Sequence, residues 1–350
     1  MTSSPYWIST EDWHTAGQPF RIVEHLPPGH LPQATSVAER RTAVLNTPSH
    51  PLDTLRRTLC HEPRGHADMY GCFITPPNDS GAHFGVLFWH ADGFSTACGH
   101  GTIALGCWAV SKGLVQVLEH DGVVDVVIDV ASGRVSAKVA VKNGKPVHAD
   151  FVNVLSFALT DETPFALESL GLDIKVTVAY GGAYCASVNA SQLNLSVEPG
   201  NINHFVSIGR AIKAALSGKH KTQLSQQYDI SGVIFFEDEP AVPGDAADVV
   251  RQKNVTVFAD GQIDRSPCGS GTCARLAVLL AEGRLEAGRG KLLHRSIIGT
   301  LFEGDIVSAD GDMNGFPACK PRVRGTAHLV GRMSFFIDPS DPVYAGFLLK

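Results

Sequence analysis

The sequence predicts an α+β protein of two similar lobes with strongly curved sheets, and three observations carry that prediction. Short stretches of apolar alternation rich in β-branched residues recur along the chain, helical patterns are few and isolated, and one five-residue motif occurs once in each half. A doubly wound parallel sheet would alternate strands with helices throughout. With 350 residues, 44% of them hydrophobic, the chain has material for a sizeable core and divides most naturally in two.

In chain order, residues 52–60 are the first with helical periodicity. Alternation over 83–89 reads as a strand, 102–112 as a helix, and 123–130 and 135–141 as two further strands. Asn143-Gly144-Lys145-Pro146 is a turn cluster near the middle of the chain and places the domain boundary there, giving lobes 1–147 and 148–334. The tail, about 335–350, is expected to pack back on the first lobe. In the second lobe, 175–180, 233–236 and 255–258 read as strands and 203–216 and 273–282 as helices, and 333–337 reads as a strand where the tail begins. Gly181-Gly182 marks either a tight turn or a close backbone approach.

The repeated motif is Cys98-Gly99-His100-Gly101-Thr102 and Cys268-Gly269-Ser270-Gly271-Thr272. Each run opens an apolar segment, and in each a glycine, Gly113 or Gly283, falls 15 positions after the cysteine. Both segments read as buried helices that start just after the glycine-rich turn and stop at that glycine, where a left-handed residue carries no Cβ penalty. Each cysteine is thus expected at a helix N-terminus. Free N–H groups and the positive end of the helix dipole favour anions there, and favour thiolate over thiol. Cysteines so placed have pKa values lowered from about 8.5 to between roughly 3.5 and 7.5. The spacing of 170 positions between the cysteines is too long for a solenoid and reads as a duplicated domain.

Two such thiols, each beside a nest of glycine amides, point to a pair of acid/base groups on one anionic ligand, in a cleft between the lobes. A carboxylate held by the N–H groups around Gly99, His100, Gly269 and Ser270 would place its α-carbon between Cys98 and Cys268. One thiolate removes the α-proton and the opposite thiol delivers one to the other face. The amides aimed at the carboxylate stabilise the carbanion, and no cofactor is required.

Other classes find less support. The net charge of −6 is small and Lys and Arg are scattered, which argues against nucleic acid. No run approaches a membrane span, and the N-terminus has neither a basic region nor an apolar signal stretch, so a cytosolic location is expected. The eight cysteines lack Cys-x-x-Cys spacing and read as free thiols in a reducing compartment. His61, His66 and Asp68 lie close together, yet no zinc pattern contains them, and no metal is expected. A thiol redox protein would not need the second, matched nest, and a silent amino-acid binder would tolerate loss of either thiol.

At these residues the sequence resembles the proline racemase family, which includes proline racemase, hydroxyproline 2-epimerase and trans-3-hydroxy-L-proline dehydratase. The resemblance covers essentially the whole chain and rests on five runs. They are His14-Thr15-Ala16-Gly17-Gln18-Pro19, Glu62-Pro63-Arg64-Gly65-His66-Ala67-Asp68-Met69-Tyr70-Gly71, Cys98-Gly99-His100-Gly101, Asp264-Arg265-Ser266-Pro267-Cys268-Gly269-Ser270-Gly271-Thr272, and Gly346-Phe347-Leu348-Leu349-Lys350. The resemblance implies a fold like that of diaminopimelate epimerase, in which each lobe wraps a curved sheet around a central helix. It implies that Cys98 and Cys268 are the two bases, that His100 and Asp264 lie beside the substrate's ring nitrogen, that Phe258 packs on the ring, and that the protein is a homodimer acting on a small molecule, proline or hydroxyproline. Read alone, Asp264 serves equally as a turn or cap residue, His100 as a tolerated turn residue, and Phe258 as a strand-core residue.

The chain departs from the family pattern at Ala16 and Gln18, where members commonly carry Gly and Glu. Tyr70 stands where racemases of the unsubstituted ring have Phe, which favours a hydroxylated substrate; a tyrosine bonded elsewhere would look the same. Cys268 stands where dehydratases resembling the vertebrate form have Thr. Inversion needs a proton donor on the far face, and Cys268 supplies one, so a racemase or epimerase is expected. The Asp68-Met69-Tyr70-Gly71 and Ala179-Tyr180-Gly181-Gly182-Ala183-Tyr184 runs look closest to dehydratases, so the alternative is trans-3-hydroxy-L-proline dehydration, with α-proton removal by Cys98 followed by loss of the β-hydroxyl.

Overall fold

Period-two runs rich in β-branched residues pair locally into hairpins, and the computed structural model of the chain builds two units from them. It describes residues 4–117, 121–159, 162–216, 229–313 and 315–349; Met1 to Ser3 and Lys350, which belong to the terminal runs read above, lie outside the described residues. The units are Met1–Phe151 with Thr326–Lys350, and Val152–Gly325. The first thus extends past residue 147, because β8 (Lys145–Val152) runs through it, and the tail joins it from Thr326 rather than from about 335.

The first unit contains β1 (Tyr6–Thr15), β2 (Gln18–Val23), α1 (Val37–Asn46), α2 (Pro51–Cys60), β3 (Tyr70–Thr75), β4 (Phe84–His90), β5 (Gly93–Phe94), α3 (Gly99–Ser111), β6 (Gly122–Val130), β7 (Gly133–Lys142) and most of β8. The second contains β9 (Ser156–Ala158), β10 (Thr163–Leu167), β11 (Leu172–Tyr180), β12 (Tyr184–Asn189), α4 (Ile202–Leu216), β13 (Gly232–Asp238), β14 (Val249–Phe258), β15 (Gln262–Asp264), α5 (Gly269–Ala281), β16 (Lys291–Ser296), β17 (Leu301–Met313) and β18 (Phe316–Gly325). β19 (Ala327–Ile337) returns to the first unit and pairs with β1 from Tyr6 opposite Ile337 to Thr15 opposite Ala327.

The two units repeat one strand order. In the first, β1–β2 is antiparallel, β2–β3 parallel, β3–β4 and β4–β5 antiparallel, β4–β6 parallel and β6–β7 antiparallel. In the second, β11–β12 is antiparallel, β12–β13 parallel, β13–β14 and β14–β15 antiparallel, β14–β16 parallel and β16–β17 antiparallel. Helices occupy the crossovers that parallel pairs require: α1 and α2 match α4, and α3 matches α5. The motif therefore marks a duplication of a whole supersecondary unit. In the second unit the sheet also closes, since β17 pairs β18, β18 pairs β9, and β9 pairs β11.

Local chemistry sets the element ends. α1 starts with a capping box in which Ser36 and Glu39 satisfy each other's backbone N–H groups, and α2 starts with Pro51 at its first position. α3 and α5 finish alike: Gly113 (φ +70°) and Gly283 (φ +67°) are left-handed, and the next amides, of Leu114 and Arg284, reach back to Ala109 and Leu279 at 2.9 and 2.8 Å. Both motif helices begin at the glycine after the cysteine, three or four residues earlier than the sequence reading placed them, because the glycines form the first helical turn rather than a preceding loop.

α3 is buried along nearly its whole length and packs on β7, β1, β19, β2 and β6. Gly106 permits this, since a Cβ there would meet the Ala137 Cβ at 2.8 Å. α5 packs on β18, β9, β11, β17 and β12. The other face of the second unit's sheet, with Val233, Phe235, Val255 and Val257, forms a core with Phe205 and Ile212 of α4.

Candidate active site

Cys98 caps the N-terminus of α3 from an extended conformation (φ −156°, ψ 109°), and its Sγ accepts the Gly101 N–H at 3.2 Å. The rest of the motif serves this arrangement. A Cβ on Gly101 would meet the ring of Phe20 at 2.6 Å and Cys98 Sγ at 2.9 Å, and Thr102 donates both its N–H and its hydroxyl to the Cys98 carbonyl, at 2.9 and 2.8 Å. Cys98, Gly99 and His100 are all buried.

The ring nitrogens of His100 lie 3.4 and 3.6 Å from Cys98 Sγ. Burial pushes the His100 pKa down to about 3, which keeps the imidazole neutral at ordinary pH. Its ring meets Tyr70 edge-on at 4.9 Å and Phe20 at 5.8 Å, and its carbonyl accepts the Thr15 hydroxyl at 2.8 Å. Tyr70, buried on β3, shares a hydrogen bond between its hydroxyl and that of Ser95. The first unit thus gathers Cys98, Gly99, His100 and Tyr70 into one cluster. The His14–Pro19 run forms the β1–β2 turn, with Ala16 (φ +49°) and Gly17 (φ +94°) left-handed and the Gly17 N–H donating to His14 Nδ1 at 3.2 Å.

In the second unit Cys268 caps α5, and its Sγ accepts the Gly271 N–H at 3.3 Å. Unlike Cys98 it is left-handed (φ +65°), a conformation that costs a non-glycine residue and persists where its surroundings enforce it. Asp264 and Ser266 do so. Asp264 Oδ1 accepts the Ser266 N–H at 2.8 Å and the Ser266 hydroxyl at 2.7 Å, and Ser266 Oγ accepts the Cys268 N–H at 3.1 Å. Asp264 is therefore a turn-forming residue, and it also stands next to the thiol. Gly269 is buried and Ser270 half-buried. Phe258 ends β14 half-buried, opposite Gly232 and Gln262.

The expectation of a lowered thiol pKa fails at Cys268. Burial raises it well above the usual thiol range, and the Asp264 carboxyl adds to the rise; the Gly271 amide and the Thr256 hydroxyl offset only part. Burial likewise pushes Asp264 up to about 6, against its hydrogen bonds from Ser266. A helix N-terminus contributes roughly 0.3–1 kcal/mol at an exposed site, whereas full burial shifts a pKa by up to about 3–5 units. Desolvation wins.

Gly181-Gly182 resolves as both of its alternatives. A Cβ on Gly181 would lie 2.3 Å from the Ser270 carbonyl oxygen, so this strand end rests on the first turn of α5, and Gly182 turns left-handed (φ +92°). Ser95, Phe20, Ser266 and Thr256 complete the two clusters and escaped the sequence reading; for Ser266, adjacency to Cys268 was an available signal, and for the others pairing across strands supplied none. His61 Nε2 lies 2.9 Å from the Ala91 carbonyl and His66 Nδ1 accepts the Asp68 N–H at 3.2 Å, so local bonds occupy both rings. Among the described residues no group of three His, Cys, Asp or Glu side chains is placed to hold a metal, and no helix is long and apolar enough to cross a membrane.

A family model described as proline racemase matches residues 11–348. The chain is 37% identical over 345 residues to a 3-hydroxyproline 2-epimerase of Burkholderia multivorans, covering 98% of both chains. It is 36% identical over 345 residues to a trans-3-hydroxy-L-proline dehydratase of Bacillus cereus, covering 97% of this chain and 98% of that one. Among solved structures, a hydroxyproline epimerase from Agrobacterium vitis, with bound trans-4-hydroxy-L-proline, superposes with a TM-score of 0.83 at 27% identity, covering 98% of this chain and 96% of that one.

Proposed function

The chain belongs to the proline racemase family, and within it we propose that Cys98 and Cys268 are the two bases of a cofactor-independent racemase or epimerase inverting the α-carbon of proline or hydroxyproline. One observation carries the reading: each unit presents a thiol at the N-cap of a buried helix, hydrogen-bonded to the amide of the motif's second glycine, Gly101 or Gly271, at 3.2 or 3.3 Å. In the reaction the Cα–H bond breaks as an S–H bond forms at one cysteine, and the electron pair spreads into the carboxylate. The other thiol's S–H then breaks as a C–H bond forms on the opposite face. The raised pKa of Cys268 suits it to hold a proton for delivery.

The substrate carboxylate takes the free amides of Gly99, His100, Gly269 and Ser270. Neutral His100 and the Asp264 carboxyl face the ring nitrogen, Phe258 packs on the ring, and Tyr70 with Ser95 meets a ring hydroxyl. The same proposal includes one curved sheet wrapped about each of α3 and α5, a homodimer, and a reducing cytosolic setting that suits eight free cysteines.

Dehydration of trans-3-hydroxy-L-proline is the second reading, and its support is the nearly equal identity to a dehydratase. Incubation with L-proline, the 4-hydroxyprolines and trans-3-hydroxy-L-proline, followed by chiral chromatography and an assay for the cyclic imine, separates the two. Inversion without imine is expected, lost in both Cys98→Ser and Cys268→Ser. Efficient imine formation with no inversion of any substrate would overturn the first reading in favour of the second.

A further inference from the structure

The face of β14 turned to α5 is polar. Val255 and Val257 pack toward α4, so Gln252, Asn254 and Thr256 point the other way, and all three are buried. Phe236, opposite Asn254, confirms the direction, since the Arg275 guanidinium of α5 lies 3.8 Å from its ring. On this face Ser187 Oγ, Asn254 Oδ1, Arg275 Nη2 and His294 Nε2 are buried with no hydrogen-bond partner among the described residues, and Thr256 Oγ has none beyond the Cys268 thiol. These five are all of the second unit's described side-chain atoms in that condition. In register, Ser187 stands beside Ile234, Ile234 beside Thr256, and Thr256 beside Asp264; Gln252 stands beside His294.

This stripe has two ends. At one, the Thr256 hydroxyl is near enough to Cys268 to pull its thiol pKa down. At the other, Gln252 donates to Asp238 Oδ1 at 2.9 Å, and Asp238, about 45% exposed, also accepts from Arg284 at 2.8 Å. Buried polar atoms without protein partners are the places where proteins hold ordered water. Successive residues on one face of a strand are about 7 Å apart, and since two hydrogen bonds through one water span about 5.5–6 Å, one water bridges each step where the side chains lean together and two bridge it where they do not.

Two-thiol inversion creates a need for such a file. After each turnover the former base carries a proton and the former donor has lost one, so one thiol must release a proton to water and the other must take one up. We propose that the Thr256–Asn254–Gln252 face holds bound waters that exchange the Cys268 proton with solvent from behind, while a ligand covers the thiol's front. The inference rests on the two-thiol reading above. Thr256 and Asn254 are relay residues and touch no substrate.

The test is deuterium gain in the recovered, uninverted isomer in heavy water. Cys98→Ser identifies the isomer that Cys268 deprotonates, as the one still exchanged. With Cys98 intact, Thr256→Val lowers deuterium in that recovered isomer several-fold and leaves the opposite isomer unchanged, Thr256→Ser restores it, and Asn254→Leu acts in the same direction. Equal losses for both isomers, or none, would overturn the relay. Exchange of neither isomer by Cys98→Ser would instead bring down the two-thiol reading, and the relay with it. Independently of activity, a high-resolution crystal structure should place ordered waters on Thr256 Oγ, Asn254 Oδ1 and His294 Nε2; a dry seam there overturns the proposal even if Asn254→Leu fails to fold.

Discussion

Asp264 shows at the residue scale how one buried carboxyl trades stability for position. Its pKa is about 6 in the folded protein against an ordinary 3.8. Below about pH 4 the group is protonated in both states and folding bears no penalty. As pH rises from about 4 through 6, the unfolded chain ionises first, and stability falls. The loss, complete above about pH 6, is about 3 kcal/mol for a shift near two units. Asp264→Asn keeps the Oδ1 acceptor that Ser266 uses twice and removes the charge. Urea denaturation should find the variant more stable than wild type at pH 8, by up to about 3 kcal/mol, with the difference vanishing at pH 4. An advantage that grows toward low pH would reverse the sign and refute the assigned cause. The same residue marks where sequence reading stopped: a turn or cap at Asp264 was legible from its place before the helix, but Ser266's part in it was not, and the desolvation that governs both Asp264 and Cys268 is a property of the packed fold.

At the scale of the element, the glycines of the two motifs are not equivalent. A Cβ on Gly101 would meet Phe20 at 2.6 Å and the thiol at 2.9 Å, whereas on Gly271 its nearest neighbours, Cys268 and Ile234, lie at 3.1–3.2 Å. Gly101→Ala should therefore cost about 1–3 kcal/mol through overpacking, and Gly271→Ala clearly less, because side chains that close need to shift only slightly. Chemical denaturation of both variants checks the order, and a larger loss in Gly271→Ala would contradict it. The motif helices were legible because each is a long, nearly continuous apolar run bounded by glycine, which the single buried Arg275 of α5 does not interrupt for long. α1 was not: its buried residues are Val37, Arg40 and Val44, and a buried arginine, here donating to the Pro76 carbonyl at 2.7 Å, breaks the apolar stripe that pattern reading follows. Its Ser36-x-x-Glu39 capping box was the signal available. The parallel β2–β3 and β12–β13 pairs left no local trace, since each partner lies a helix or more away.

Across the whole molecule, the order of the chain and the order of folding units differ. The stretch Val152–Gly325 is continuous, and its sheet closes on itself through β9. The first unit is discontinuous: β1 has β19 as its partner over ten positions, and beyond β19 the Phe347 carbonyl accepts the Glu62 N–H at 3.0 Å while Arg64 donates to the Tyr344 carbonyl at 3.2 Å. Duplication is readable from two cysteine motifs and the tail's return to the first unit was expected, but its start at Thr326 was not legible, because it is fixed by pairing between residues more than 300 positions apart. Removing residues 326–350 should unzip β1, expose α3 on the side where it packs on β1 and β19, and cost the first unit its cooperative transition. A fragment of residues 152–325 should keep one. Calorimetry of the 1–325 truncation and of the 152–325 fragment decides the matter. Two intact transitions in the 1–325 truncation would mean that β1 needs no partner from the tail, and an unfolded 152–325 fragment would mean that the closed sheet with α5 packed on it does not suffice as a folding unit.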